Sequence, residues 1–359
     1  MSGIEVDVIR SCPGWIWGPR TSHFKFGGDV LAGLPKVADR LLDIHKGFPN
    51  DCTSLHICHE LMSELHPECN SPNAVKFEVL CGGIEKGVYP QVAALTAPAF
   101  ALDGVEGGAI LSEDLKIRER TWYLHREAMR WANELQSQDQ GLGFVICWPA
   151  FDSERLYHGP KRQQPLSRQQ AWDMLRDFWV KCISESRDCG ENVLVLLEWK
   201  PAVPGDQDYI NSIGRAIRFC QEVNAELGFV GMMINNESAH LLIGGTTVAE
   251  GTRQTIEAGL FPGFVHVNSA ELAIIEINDD TGDVLRGAPG DDKDWYVGAG
   301  GDERWDDQVA AVKLMLDWAK ETGQPIIAEH DIDPSGDDPR DYYARSRANF
   351  DQMLAQVLS

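Results

Sequence analysis

Short apolar runs of strand length alternate with longer stretches of helical spacing along almost the whole chain. The densest run is Val193–Pro201, VLVLLEWKP, where five apolar residues give way abruptly to a carboxylate, an aromatic and an ammonium. Such a run, rich in Val and Leu, predicts a strand buried on both faces. Glu198 and Lys200 share an alternation parity, so their side chains point to the same side of that strand. Two like-facing charges end a buried strand either as a capping ion pair or because something binds there.

The remaining pattern predicts strands at Glu5–Ile9, Thr53–Ile57, Val75–Gly82, Gly143–Cys147, Phe229–Ile234, Gly263–Val267 and Pro325–Ala328. Helical spacing falls at Asp29–His45, Ser112–Gln136, Ser167–Ser186, Tyr209–Leu227, Thr247–Ala258, Trp305–Thr322 and Arg340–Leu358. Residues 13–28 are dense in aromatics, Gly and Pro and predict a loop folded over a pocket mouth. Residues 275–305 are acidic and Gly-rich and predict an excursion loop. About eight strand–helix units in alternation argue for a parallel sheet.

Polar residues recur just past the C-terminal end of nearly every predicted strand: His56 and Glu60, Trp148 and Asp152, Glu198 and Lys200, Glu237 and His240, His266 and Asn268, Glu329 and His330. An open sheet would concentrate them at one switch point. Their spread around the whole set predicts an α/β fold closed as a (β/α)8 TIM barrel, with one site at the C-terminal face. The expectation is one domain over residues 1–359, with residues 332–359 a C-terminal helical segment packing on the barrel or on a partner subunit. No G-x-G-x-x-G or phosphate-binding loop follows a strand, which argues against a dinucleotide enzyme.

Composition narrows the function classes. The chain has 359 residues, 43% of them hydrophobic, enough for a large core. A formal net charge of −23 argues against nucleic acid and anionic membranes as partners, since both require a basic surface. The nine cysteines are scattered without a C-x-x-C pair, as expected of small core residues in a reducing compartment. The start of the sequence has no leader-like pattern, and no apolar stretch approaches the roughly 18 residues of a membrane span, so the cytoplasm is the expected location.

Glu198, Glu237, His266 and Glu329 lie at four successive predicted strand ends and would converge on one point. Three carboxylates and an imidazole suit Mn²⁺, Mg²⁺ or Co²⁺ better than a thiolate-bound metal. His240, three residues after Glu237, can face the same cleft, and Asp292 and Asp294 can add ligands from the excursion loop. At the last strand, IIAEHDIDP offers Glu329 first, with His330 and Asp331 as alternatives.

These motifs resemble the xylose-isomerase-like superfamily of metal-dependent sugar isomerases and epimerases, most nearly the L-rhamnose isomerase type. LLEWKP resembles its strand-five motif, NNESAHLLIGG its strand-six motif, GFVHVNSAE its His-x-Asn strand-seven motif, and DDKDWYVGAGG its acidic loop. PGWIWGPRTSHFK, HICHE and CWPAFD occupy the places of its N-terminal motifs, with Glu60 where the family has Asp. The resemblance covers most of residues 12–335, motif by motif.

It implies a cytoplasmic, homodimeric or homotetrameric aldose–ketose isomerase of a free sugar, using one or two Mn²⁺, Mg²⁺ or Co²⁺ ions per subunit. Glu198, Glu237, His266, Glu329, His240, Asp292 and Asp294 would be the metal ligands. Lys200 would hold the sugar carbonyl oxygen, with His56, Glu60 and Asp294 opening the ring and moving protons. Trp15, Trp17 and Trp148 would form apolar walls, and His240 and Asn268 would touch the sugar. The alternative within the same barrel is an epimerase, or a β-eliminating lyase, acting on a ketose or a 3-keto-glycoside.

Overall fold

Short, largely continuous apolar runs become strands buried on both faces, and the amphipathic stretches between them become helices. The computed structural model describes residues 6–17, 36–97, 109–148, 166–201, 209–270, 276–277, 284–286, 295–334 and 338–359. In chain order these form β1 (Val8–Ser11), α1 (Val37–Gly47), β2 (Thr53–His56), α2 (Phe77–Glu85), β3 (Val92–Thr96), α3 (Leu115–Ser137) and β4 (Gly141–Cys147). There follow α4 (Arg168–Asp188), β5 (Leu194–Leu197), α5 (Ile213–Leu227), β6 (Met232–Ile234), β7 (Asn236–Glu237), α6 (Ser238–Ile243), α7 (Val248–Glu257) and β8 (Phe264–His266). A small pair, β9 (Glu276–Ile277) and β10 (Val284–Arg286), precedes α8 (Asp302–Thr322), β11 (Ile326–Glu329) and α9 (Pro339–Leu358).

Two parallel sheets, β2-β3-β4-β5-β6 and β1-β11-β8-β7, meet at two seams. At one, Ser11 bridges Cys52, and the Cys12 and Cys52 amides donate to Cys52 O at 2.9 Å and Arg10 O at 2.8 Å. At the other, β6 and β7 are one strand interrupted at Asn235. Its N–H donates back to Leu197 O on β5 at 2.9 Å, while Asn236 and Glu237 pair with β8. Eight strand positions therefore run around a (β/α)8 barrel. The helices surround it, several started by side-chain caps such as the reciprocal Ser167–Gln170 box on α4. Helix α9 packs on the barrel as the eighth helix of that ring, tied by Tyr343 Oη donating to Asp51 at 2.6 Å and by an Arg10–Asp351 ion pair.

The segment Val75–Gly82, expected as a strand, is mostly helical. Phe77, Leu80 and Ile84 recur at three- and four-residue spacing, and Phe77 stacks on Trp131 of α3 at 5.0 Å. The third barrel strand is the run VAALT at Val92–Thr96, fully buried, inside a stretch that shows no periodicity in the sequence. A short apolar run does not distinguish strand from helix by pattern alone. The predicted helix Asp29–His45 is seen from Val37; its first residues lie outside the described ones. All nine cysteines are free, six of them buried. Among the described residues no helix is long and apolar enough to cross a membrane.

The barrel interior decides where the chemistry can sit. Ala94, Ile146, Leu196, Phe264 and Ile327 form its apolar plug. Two residues further along the same faces, the side chains turn polar: Leu196 is followed by Glu198, Phe264 by His266 and Ile327 by Glu329. The register aligns Ser11, Glu329, His266 and Glu237 across four neighbouring strand ends.

A buried histidine on α3 gives this fold a pH dependence independent of that interior. His125 donates Nδ1–H to Thr121 O at 2.8 Å and packs edge-on against Phe178 and Trp179. Burial pushes it down to about 4. Its folded pKa is below the unfolded value, so its contribution is complete above about pH 6.5 and is lost as pH falls toward 4. Urea unfolding should show about 2 kcal/mol lost through this residue between pH 7 and 5. His125→Phe, which cannot titrate, should lose correspondingly less over the same interval; an identical pH profile would refute the assignment.

Candidate metal centre

The polar layer is organised around one imidazole. His266, fully buried at the end of β8, presents Nδ1 to Glu198 Oε2 and Glu237 Oε2, each at 3.4 Å, and to Asp331 Oδ2 at 3.6 Å. Its other nitrogen, Nε2, lies 3.0 Å from Glu329 Oε1. Glu198, Glu237 and His266 offer ligand atoms that all fall within 4.8 Å of one another. Neighbouring oxygens around a small divalent ion sit roughly 3 Å apart, so this set needs only a slight contraction to enclose one. The donors, carboxylates and an imidazole, suit a hard or borderline cation.

The electrostatics fit the same group. Burial and the charge of Glu237 push Glu198 up to about 7, against the pull of His266, His240 and Lys200. Burial also disfavours the charged form of Glu237, but His240 and His266 outweigh it and hold its carboxyl below the usual range. Burial opposes a charged His266, yet Glu198, with hydrogen bonds to Glu237 and Glu329, lifts it well above an ordinary histidine. Carboxylates packed this closely need positive charge between them, and a divalent cation supplies it while displacing protons.

The strand-end alternatives at β11 separate by parity. His330 points outward, its Nδ1 3.0 Å from Ser346 Oγ and its ring against Tyr343 and Phe350 of α9. Glu329 and Asp331 point inward, at different levels. Glu329 meets the Nε2 edge of His266, while Asp331 shares the Nδ1 edge with Glu198 and Glu237. The two ring nitrogens face apart, so a ligand partnered with Nε2 does not also reach an ion held on Nδ1. In this arrangement Glu329 lies on the Nε2 side of His266, and Asp331 on the Nδ1 side with Glu198 and Glu237.

Other residues hold the carboxylates. Trp148 Nε1–H donates to Glu198 Oε1 at 2.6 Å, and Asn235 Nδ2–H to Glu198 Oε2 at 3.2 Å. Asn268, expected against the sugar, is buried behind Glu237 instead. It donates to Glu237 Oε1 at 3.1 Å and to Asp331 O at 2.9 Å, while its Oδ1 accepts from Ala239 N–H. His240, on the short α6, sits with Nδ1 3.2 Å from Glu237 Oε2. Lys200 is half-buried at the mouth, close enough for its charge to act on Glu198 and Glu237.

An aromatic arc crosses the mouth from β11 toward β5. Trp15 donates Nε1–H to Asp331 Oδ1 at 2.8 Å, and its ring stacks on His56 at 4.3 Å. His56 in turn lies 5.8 Å from Trp148. Glu60 is buried beneath His56, accepting from the His56 N–H at 2.9 Å and pairing with Arg40 at 3.2 Å. With both oxygens engaged, it supports His56 rather than facing the mouth. Arg40 also donates to Gly14 O at 2.8 Å; a Cβ on Gly14 would come within 3.0 Å of Glu60 Oε1, so this turn requires the glycine. Cys58, at φ 70°, makes the left-handed turn that brings Glu60 back under His56.

Asp292 and Asp294, and the side chain of Trp17, lie outside the described residues. Ser11, Ser54, Asn235 and Arg40 had no distinguishing sequence signal beyond their positions near strand ends or on a helix face.

No family model matches the sequence, and no curated protein matches it. Solved structures match its fold. The IolI protein with a bound zinc atom superposes with a TM-score of 0.59 at 10% identity, covering 98% of this chain and 99% of the other. An L-ribulose 3-epimerase gives 0.58 at 14% identity, with 98% and 96% covered. A xylose-isomerase-like TIM-barrel protein from Mycobacterium smegmatis, in complex with magnesium, gives 0.50 at 12% identity over 100% of both chains. These likenesses show the fold, a (β/α)8 TIM barrel.

Thermal unfolding of the chelator-treated protein should shift upward on adding Mn²⁺ or Mg²⁺, by about 2.7 kcal/mol at a hundredfold excess over Kd. Glu198→Gln should abolish that shift while leaving the metal-free protein at least as stable, because one of two repelling carboxylates is gone. A wild-type protein indifferent to divalent ions would sink the metal reading.

Proposed function

We propose that the chain is a divalent-metal-dependent aldose–ketose isomerase of a free, non-phosphorylated sugar. The observation that carries this reading is the Lys200 charge acting on Glu198 and Glu237 just past the end of β5, beside the cluster around His266. In this reading Glu198, Glu237, His266 and Asp331 hold the ion, and His240, 3.2 Å from Glu237, is the candidate ligand for a second one. A bound divalent ion would supply Lewis acidity to the vicinal oxygens of the open-chain sugar. Mn²⁺ suits the donor set, as do Mg²⁺ and Co²⁺.

The chain's own groups would do the rest. Trp15 and Trp148, fixed by their indole hydrogen bonds to Asp331 and Glu198, offer flat apolar faces to the C–H side of a sugar. His56 stacks between them with one ring edge backed by Glu60, placing it to pass a proton during ring opening. Lys200 Nζ donates to the carbonyl oxygen and stabilises the charge that grows there in the transition state. The hydrogen on C2 moves to C1 and the O2 proton moves to O1, so aldose and ketose interconvert without an external oxidant. A phosphate group would meet Glu198, Glu237 and Asp331, which favours an uncharged sugar. The small-molecule substrate, and assembly as a homodimer or homotetramer, belong to this proposal.

A second reading is an epimerase, or a β-eliminating lyase, on a ketose or 3-keto-glycoside, and fold likeness to an L-ribulose 3-epimerase favours it. Such chemistry takes a carboxylate base at the reacting carbon. Glu329, the strand-end carboxylate opposite Glu198, is committed to His266 and two serines, which weakens this reading.

The Mn²⁺-loaded protein should convert an aldose to its ketose from a panel of aldoses, ketoses and 3-keto-glycosides. Little solvent deuterium should enter in D₂O if the hydrogen passes directly between carbons. Lys200→Met should lower kcat by about 10²- to 10³-fold with metal affinity retained. Turnover confined to C3 epimers of ketoses, or to 3-keto-glycosides, would overturn the isomerase assignment.

A further inference from the structure

Glu329 is buried with no exposed surface, in register with His266 and at the end of the last strand. Both its oxygens are engaged, from three different strands. Ser11 Oγ–H on β1 donates to Oε2 at 2.6 Å, Ser54 Oγ–H on β2 donates to the same oxygen, and His266 Nε2 lies 3.0 Å from Oε1. Ser11 ends β1 and Ser54 lies within β2, and the register places Ser11, Glu329 and His266 side by side. Two hydroxyl donors on Oε2 favour the ionised carboxylate, which leaves Oε1 an acceptor for a proton held on His266 Nε2.

We propose that Glu329, clasped by Ser11 and Ser54, is a positioning residue that keeps a proton on His266 Nε2, so that Nδ1 is the nitrogen offered to an ion in the cluster of Glu198, Glu237 and Asp331. This rests on the metal reading of that cluster. Carboxylate partners behind a ligating histidine set ring orientation and raise ligand basicity, and losing one costs about 10- to 100-fold in metal affinity. The clasp also explains why two inward acids stand on one strand end. Asp331 reaches the ion side of the ring, and Glu329 holds the ring from behind.

The test compares full-length wild type, Glu329→Gln, Ser54→Ala and Asp331→Asn by direct titration with Mn²⁺. Co²⁺ visible spectra and ¹⁵N NMR of the Zn²⁺-loaded imidazole supply readouts independent of turnover. Wild type should show His266 protonated on Nε2 and metal-bound on Nδ1. Glu329→Gln should bind Mn²⁺ about 10- to 100-fold more weakly with a Co²⁺ spectrum of unchanged coordination, and Ser54→Ala should show a smaller loss in the same direction. Asp331→Asn should alter the Co²⁺ spectrum itself. Wild-type affinity in both Glu329→Gln and Ser54→Ala would overturn the proposal, as would a Co²⁺ spectrum showing that Glu329→Gln has lost a ligand. Should Glu329→Gln not fold, Ser54→Ala with the tautomer measurement decides. A wild type that binds no Mn²⁺ would bring down the metal reading and this proposal together, whereas tight binding that ignores Glu329 brings down this proposal alone.

Discussion

A buried imidazole with carboxylates on both edges is the interaction on which this barrel's polar end depends. His266 has no solvent to share its charge with, and four acids from three strand ends face its two nitrogens. Buried acids at such spacing repel, and each must be compensated by a donor or a cation. The surroundings are arranged accordingly. Two indoles, two amides and two hydroxyls all direct donors at these carboxylates. The aromatic walls are therefore also electrostatic supports, so a Trp here carries two roles through one ring.

That arrangement divides the acids by function. Those on the Nδ1 side can close on a common cation, and Lys200 brings a fixed positive charge to the rim beside them. The acids behind, Glu329 and Glu60, each serve one histidine and are saturated by it and its neighbours. The same residue type thus does ligand work and support work within a few ångströms, with the difference set by which ring edge or which backbone amide it meets.

Much of this architecture was legible from alternation. The run ahead of Glu198, the parity of Glu198 with Lys200, and the recurrence of polar residues after apolar runs all follow from strand geometry, and the barrel embodies them. Parity also separates His330 from its neighbours. It does not separate Glu329 from Asp331, which share a face and differ only in level, by roughly 6.6 Å along a strand. Depth relative to His266 is a tertiary quantity and has no one-dimensional trace. Asn268 was misplaced for the same reason, since an amide at a strand end looks alike whether it meets substrate or a ligand's back. Ser11 and Ser54 carried no signal because small hydroxyls are common at strand ends. The third strand was missed because FEVL has strand-like composition at helical spacing, while VAALT is too short for either period to show.

The seam between β1 and β11 has a meaning in polymer terms. Ser11 and Glu329 are separated by 318 positions of chain, and bringing such distant points together carries an entropic cost of about 5 kcal/mol before any contact compensates it. The five-stranded sheet joins strands that follow one another in sequence, but β1 enters the other sheet only when the last strand finds it. The hydrogen bonds that steady the imidazole are among those that close this ring. The polar centre is thus a property of the closed chain as a whole, and no continuous fragment ending before β11 contains it.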